Sequence, residues 1–358
     1  KIKNGLKEHE CTLFCACSLD RSKNGESKDD VFFLGESVYD WTKKQFETGS
    51  AIVFVGAMGI AVRAIAPCIK DKTKDIPVVV TDENGSFTIP VLSGHLGGAN
   101  ELAKKISESI SSTLVLTTAT DINGKFAVDI FAKDNNLFIK DKSGIAKVSS
   151  RVLSCEKITI GIEKGHLEKG SEIPGYIDVY EDDFEEESLN NNGEETSGIN
   201  ICRETLKKYD VTISSKEGRE NLLNLYPRKY VVGIGCKKGK EKEEIEAFVK
   251  GILEDNGIDI NLVKCIASVD AKKDEDGIKK LSESLRIPFE TFAASKLMEL
   301  EGDFSSSDFV METVGTDNVC ERSALMAAGE GGKIIIGKQS KNGMTCALAV
   351  SDWSVKFR

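Results

Sequence analysis

The sequence predicts a multi-domain α/β protein whose sheets are mostly parallel and flanked by helices. Three observations carry that expectation. The chain has 358 residues, room for two or three domains at ~150 residues each. Short β-rich apolar runs alternate with helical stretches along most of it. Glycine-rich turns recur where such a run gives way to a helix.

Taken in order, Ala51-Ile-Val-Phe-Val55 reads as a buried strand, Gly56-Ala-Met-Gly59 as a tight turn and Ile60 to Ile69 as a helix. Pro77-Val-Val-Val-Thr81 and Phe87-Thr-Ile-Pro-Val91 flank Asp82-Glu-Asn-Gly-Ser86, where Asn84-Gly85 signals a hairpin turn. Leu92 to Gly98 is a glycine-rich loop, followed by a helix from Ala99 to Ile110 and a strand at Leu114 to Thr117. A first domain is therefore expected over residues 1–118.

A less regular middle domain is expected over 119–228. Phe126 to Asp134 reads as helix and Lys157 to Ile162 as strand. Between Glu181 and Glu195 eight acidic residues occur with no base among them, which predicts a mobile surface loop. Lys216 to Lys229, with Pro227, reads as the linker. A third domain, 229–358, opens with a strand at Tyr230 to Ile234, a loop at Gly235 to Lys240 and an amphipathic helix at Glu241 to Glu254. A strand at Leu262 to Ala267 and helices at Asp274 to Leu285 and Val319 to Ala328 follow. A hairpin of Lys333 to Lys338 with Met344 to Val350 closes the chain.

Hydrophobic residues make up 40% and charged residues 30%, an ordinary globular mix. The net charge is −10, against a general nucleic-acid binder. Most of that excess sits in the Glu181–Glu195 stretch, so a local basic pocket for an anionic ligand is still expected elsewhere. The longest apolar run, Ala51 to Val62, is too short to span a bilayer and ends at Arg63. No basic-then-apolar leader is visible, so the ten cysteines are expected to stay reduced in the cytoplasm. The chain opens at Lys1 rather than Met, so part of the native N-terminus, with a first strand, is expected to be missing.

Four constellations offer chemistry. In Gly56-Ala-Met-Gly-Ile-Ala-Val-Arg63, glycines between strand and helix let a ligand approach the free amides. They serve that purpose or simply make a tight turn; the G-x-G-x-x-G spacing is absent. Arg63, one turn into the helix, either grips a carboxylate bidentately or lies on the surface. In Ser93-Gly-His-Leu-Gly-Gly-Ala-Asn-Glu101, one of three histidines stands in a glycine loop expected to expose its imidazole. Histidine titrates near neutrality and suits acid or base work, though a structural role is the competing reading. No His-x-x-x-His or Cys-x-x-Cys partner supports a metal, and Ser93 is not in a G-x-S-x-G elbow.

Thr117-Thr-Ala-Thr-Asp-Ile-Asn-Gly124 places hydroxyls, Asp121 and Asn123 at a strand end, where open α/β sheets collect ligand contacts, or forms an ordinary capped turn. Gly233-Ile-Gly-Cys-Lys-Lys-Gly-Lys240 resembles a phosphate or carboxylate cradle without the Walker spacing. Cys236 reads as a small buried group rather than a nucleophile. Cys11, Cys15 and Cys17, alternating on one face of a strand with Leu13, read as buried core thiols rather than an iron–sulfur site.

Ile52 to Pro67 and Leu92 to Leu102 closely resemble the N-terminal domain of the CbiG family. Thr117 to Asp129 resembles the start of that family's middle domain, and Val232 to Cys236, Ala267 to Asp270 and Val314 to Gly329 its CobE-like C-terminal domain. Met58 stands where a small polar residue is expected, Lys237 and Lys238 replace arginines, and the acidic loop is longer than usual. The resemblance implies an enzyme of anaerobic cobalamin biosynthesis. It would open the ring-A acetate lactone of cobalt-precorrin-5A and release the methylated C20 bridge as acetaldehyde, giving cobalt-precorrin-5B. Cobalt would arrive in the corrinoid substrate, so no cofactor of the protein's own and no protein metal site is expected. Neither is nucleic acid or membrane binding, although transient contact with neighbouring pathway enzymes is.

Chemistry then suggests roles for the residues. His95 is the candidate base, oriented by Glu101 or Asp121, with the Gly97 and Gly98 amides facing the oxyanion. Gly56, Gly59, Arg63, Ser93, Asn100, Thr117, Gly235, Lys237 and Lys238 are candidate substrate contacts, and Lys240 adds a further positive charge. Two rivals stand beside this reading: a corrinoid carrier or chaperone without catalysis, and a phosphate-binding transferase using the lysine loop.

Overall fold

The computed structural model describes residues 1–16, 27–28, 31–70, 75–95, 97–118, 122–184, 209–216 and 221–357. Its contacts divide the chain into two compact units, Lys1–Ile130 and Phe131–Arg358. The fold is α/β, with mostly parallel sheets flanked by helices. Among the described residues no helix is long and apolar enough to cross a membrane.

The first unit begins with α1 (Ile2–Gly5) and a three-stranded sheet of β1 (Leu13–Cys15), β2 (Ser27–Lys28) and β3 (Val31–Phe33). Leu13 is exposed, and Cys11 and Cys15 are only half-buried, so the expected buried thiol face does not form; Cys17 lies outside the described residues. The strand is too short, and its outer face too open, to bury that row. Next come α2 (Val38–Thr48), β4 (Ile52–Val55), α3 (Met58–Ile65), β5 (Val78–Thr81), β6 (Phe87–Leu92), α4 (Ala99–Ile110) and β7 (Thr113–Leu114). Helix α3 starts two residues before the expected Ile60 and gives way to a 3-10 turn at Ala66–Cys68, where Pro67 ends the α-helical hydrogen bonding. The strand expected at Leu114 to Thr117 shrinks to two residues, Thr113 and Leu114.

The four strands lie in the order β4-β5-β6-β7. Central β5 is buried on both faces, as its unbroken Val78-Val-Val80 run demands. Val78 packs with Ile52, Ile65 and Ile76. Val79 packs on the other side with Leu6 and the Ala99, Ala103 and Ile106 stripe of α4, a spacing of four and three that defines one helix face.

The second unit carries two five-stranded sheets. The first is built from α5 (Val128–Asp134, which begins in the first unit), β8 (Leu137–Ile139), α6 (Ser143–Leu153), β9 (Ile158–Glu163), β10 (Ile177–Asp182), β11 (Val211–Ile213) and β12 (Leu223–Pro227), with strand order β10-β9-β11-β12-β8. Two expectations change here. The linker of Lys216 to Lys229 contains β12, whose Leu223 and Leu225 are fully buried. The stretch expected to be mobile from Glu181 begins inside β10, and Asp182 accepts a hydrogen bond from Tyr209 Oη at 2.9 Å; residues 185–195 lie outside the described residues.

The other sheet runs β15-β14-β13-β17-β16, using β13 (Tyr230–Cys236), β14 (Val263–Val269), β15 (Phe289–Phe292), β16 (Lys333–Lys341) and β17 (Met344–Val350). Helices α7 (Lys242–Asp255) and α8 (Asp276–Leu285) cover one face through Ile245, Val249, Ile278 and Leu281. After α9 (Ala294–Met298) and α10 (Asp308–Val314), α11 (Cys320–Ala328) covers the other with Ala324, Ala327 and Ala328. The alanine-rich helix lies so close that a Cβ on Gly233 would stand 1.9 Å from the Cys320 carbonyl oxygen. The two sheets of the second unit share no strand.

Candidate functional site

The hairpin of β5 and β6 decides which sequence motifs can meet. β4 runs parallel to β5, with Ile52 beside Val78 and Val55 beside Thr81. β6 runs antiparallel, with Leu92 beside Val78 and Thr88 beside Thr81. The chain therefore leaves β6 at the end of the sheet where β4 and β5 begin. Gly56 follows Val55 at the opposite end, its N–H donating to Thr81 O at 2.8 Å. Gly56 and Gly59 thus leave the sheet ~10 Å along the strands from the loop that carries His95. Arg63, in the last turn of α3, is exposed and donates from Nη1 to Gly59 O at 3.3 Å.

β7 runs parallel to β6, so both deliver their C-terminal ends to one edge. There the loop from Ser93 to Gly98 turns into α4, pinned by its own backbone. Gly98 N–H donates to His95 O, Ala99 N–H to Ser93 O and Asn100 N–H to Gly94 O, each at 3.0 Å. Two glycines are sterically required. A Cβ on Gly97 would lie 2.4 Å from Ser93 Cβ and 2.8 Å from Ser93 O, and Gly98 has φ +86°. Ser93 takes a left-handed φ of +56°, and its hydroxyl donates to Asp75 O at 2.8 Å. Asn100 Nδ2 reaches Thr118 Oγ1 at 3.3 Å, tying the loop to the segment after β7, beside exposed Thr117.

His95 is not exposed as its glycine neighbours suggest: its side chain is 12% accessible. Nδ1 lies 3.3 Å from Asp129 Oδ2, near the start of α5. Burial pushes the Asp129 carboxyl toward the neutral form, but the His95 hydrogen bond and charge, with backbone amides, outweigh it and hold the group below the usual carboxylate range. The expected orienting groups fare differently. Glu101 stands solvent-exposed in the first turn of α4, and Asp121 lies outside the described residues. Of the two amides expected at an oxyanion, Gly98 N–H is committed to His95 O, while Gly97 N–H has no acceptor among the described residues. Asp129 was missed because an acidic residue at a helix start reads as a dipole complement; its partner is 34 residues away in sequence.

The lysine loop of the second unit already holds an anion. Gly239 N–H donates to Glu275 Oε1 at 2.6 Å, and Lys272 Nζ to Oε2 at 3.1 Å. Lys240 pairs with Glu244 at 2.9 Å, and Lys237 and Lys238 are exposed. Gly235 is needed for packing, since a Cβ there would lie 2.6 Å from Thr345 Oγ1. Burial raises the Cys236 thiol above its ordinary range, which fits its reading as a non-nucleophile.

Two family models match the chain: Cobalamin synthesis G N-terminal over residues 40–121 and Cobalamin synthesis G C-terminus over residues 230–349. The chain is 31% identical over 318 residues to cobalt-precorrin-5A hydrolase of Salmonella typhimurium, covering 86% of this chain and 84% of that protein. It is 28% identical over 335 residues to cobalt-precorrin-5A hydrolase of Priestia megaterium, covering 92% and 86%. A solved cobalamin biosynthesis protein G homologue from Sulfolobus solfataricus is 23% identical, covers 90% of this chain and 88% of that one, and gives a TM-score of 0.34.

Proposed function

The chain belongs to the cobalt-precorrin-5A hydrolase family, and from that premise we propose how its own residues carry the reaction. It is a hydrolase of cobalamin biosynthesis acting on cobalt-precorrin-5A. The family resemblance gives the chemistry as opening of the ring-A acetate lactone with loss of the C20 bridge as acetaldehyde. Water is the nucleophile, and His95 takes its proton as the new C–O bond forms at the lactone carbonyl. Gly97 N–H faces the oxyanion. On collapse the ring C–O bond breaks and the leaving oxygen, on C20, recovers the proton from His95. Acetaldehyde then departs as that hydroxyl gives up its proton and the C–C bond holding C20 breaks, its electron pair staying on the macrocycle.

The observation that carries this reading is the pinned loop. It holds a sheltered imidazole at the C-terminal ends of two parallel strands, where open α/β sheets present their ligand-binding groups. Asn100 and Thr117 stand at the same edge and are assigned to the substrate. Cobalt counts here as part of the substrate, and the acid–base steps call for no further cofactor. A cytoplasmic location and transient contact with neighbouring pathway enzymes belong to the same reading.

The test is anaerobic incubation with cobalt-precorrin-5A followed by an acetaldehyde assay. Wild-type protein releases acetaldehyde; a carrier or chaperone would bind the corrinoid and release none. His95→Ala should cut turnover ~10²–10⁴-fold, the span for losing a positioned proton-transfer group, with corrinoid binding changed only a few-fold. Wild-type turnover in that variant would remove His95 from the chemistry.

A further inference from the structure

We infer that Asp129 is the positioning residue for His95, fixing the imidazole so that Nε2 is its proton-accepting atom; this rests on His95 being the base. Three features of the geometry converge on it. Asp129 Oδ2 stands 3.3 Å from Nδ1, on a different element from the loop that carries the histidine. Both side chains are sheltered, at 12% and 14% accessibility, so water screens the pair less than it would a surface contact. The carboxylate is itself held, with Oδ1 accepting the Ile130 N–H at 3.1 Å, which limits its swing.

The consequence for a proton-transfer step is direct. A carboxylate at Nδ1 accepts the N–H there, so the neutral imidazole carries its proton on Nδ1 and its lone pair on Nε2. When Nε2 takes a proton from water, the imidazolium forms beside a fixed negative charge, and the same contact keeps the ring from rotating. The pinned backbone of the Ser93–Gly98 loop sets where the ring begins, and Asp129 sets which way it faces. Other titratable groups stand on the surrounding elements. Glu101 on α4 is exposed, the Asp75 carboxylate before β5 accepts the Lys70 N–H at 3.0 Å, and Lys125 precedes α5 half-buried.

The experiment pairs turnover with a direct titration of the imidazole. Acetaldehyde release from cobalt-precorrin-5A is followed against pH for wild type and Asp129→Asn, and the histidine ring protons of the full chain are titrated by NMR. His95→Gln assigns the His95 signal among the three histidines. Asp129→Asn should lower kcat ~10²-fold or more with KM changed only a few-fold. The anion stabilises the imidazolium, so its loss should move both the His95 titration and the acidic limb of the kcat profile to lower pH, by about one unit. Asp129→Glu restores the charge and should return the limb toward its wild-type place, which separates lost charge from a disturbed fold. An Asp129→Asn protein with unmoved limb and unmoved titration overturns the assignment. If the titration moves while His95→Ala keeps full turnover, the pair exists but His95 is not the base, and the reading beneath the inference fails instead.

Discussion

The carboxylate of Glu275 accepts the Gly239 N–H at 2.6 Å, inside the lysine-rich loop that otherwise looks made for a foreign anion. Lys272 completes the grip from the other side at 3.1 Å. Glu275 sits immediately before α8, so the contact ties the loop after β13 to the helix that packs beneath it. In the folded chain this loop is also latched to the helix that follows Glu275.

Glu275→Ala should therefore destabilise the protein by about 1–3 kcal/mol, the worth of the charge-assisted hydrogen bonds it makes with the Gly239 amide and the Lys272 ammonium. Urea denaturation reads it. The pH dependence has a definite sign. Burial opposes ionisation of Glu275, but the Gly239 amide and Lys272 prevail and hold its pKa below the ordinary glutamate value. Its contribution is thus full above that ordinary value and fades as pH falls through the lowered one. The wild-type advantage over the variant should be present at neutral pH and shrink in acid; an advantage that grew in acid would contradict the contact.

Gly97→Ala should damage turnover as well as stability. The added methyl would meet Ser93 Cβ at 2.4 Å and Ser93 O at 2.8 Å, so the loop must open. A displacement near 1 Å at a positioned catalytic group costs on the order of 10²-fold in rate. Turnover should fall by about that factor, and the urea midpoint by the equivalent of about 1–3 kcal/mol, while the circular dichroism spectrum changes little. A fully active Gly97→Ala protein would show that the loop geometry is not what positions His95.

Much of the fold is legible in the sequence because local signals there agree with tertiary packing. The Asn84-Gly85 hairpin and helix α4 are found where alternation and helical spacing place them. Strand β12 was hidden in an expected linker, although Leu223-Asn-Leu-Tyr-Pro227 alternates cleanly between buried and half-buried positions; the neighbouring charges and Pro227 outweighed that pattern. The separation of the two glycine motifs is legible in the sequence. A hairpin between them reverses the chain, so loops on either side of it leave from opposite ends of the sheet. The His95–Asp129 pair was not legible, because no spacing rule links a loop histidine to a helix-start aspartate across an intervening helix and strand.

Gly233→Ala tests the second unit's packing. Its Cβ would stand 1.9 Å from the Cys320 carbonyl oxygen and 2.9 Å from Ala324 Cβ, so α11 must move off the sheet. Overpacking against backbone cannot be relieved by a rotamer change, and a loss of about 3 kcal/mol is expected. Thermal or urea unfolding measures it, with Gly251→Ala, where nothing lies within 4 Å, as the control. Equal stability of Gly233→Ala and wild type would mean that helix and strand are not in this contact.

The last prediction concerns Lys237 and Lys238, assigned by the sequence to the substrate carboxylates. Both are exposed, and the amide at Gly239 is already satisfied by Glu275, so neither lysine works within an enclosed anion site. Exposed ion pairs contribute ~0.2–1 kcal/mol each, so replacing both with Ala should weaken corrinoid binding by no more than about 30-fold, and by only a few-fold if either contact is partial. The loss should diminish as salt rises from 0.01 to 0.5 M, since a shorter Debye length screens surface charge. Lys238 also helps keep Glu275 ionised, so the double variant should lose stability in acid slightly sooner than wild type. Calorimetric titration with a cobalt corrinoid at several salt concentrations measures the first effect and urea unfolding below neutral pH the second. Binding lost a thousand-fold and insensitive to salt would mean that the bound substrate encloses these lysines.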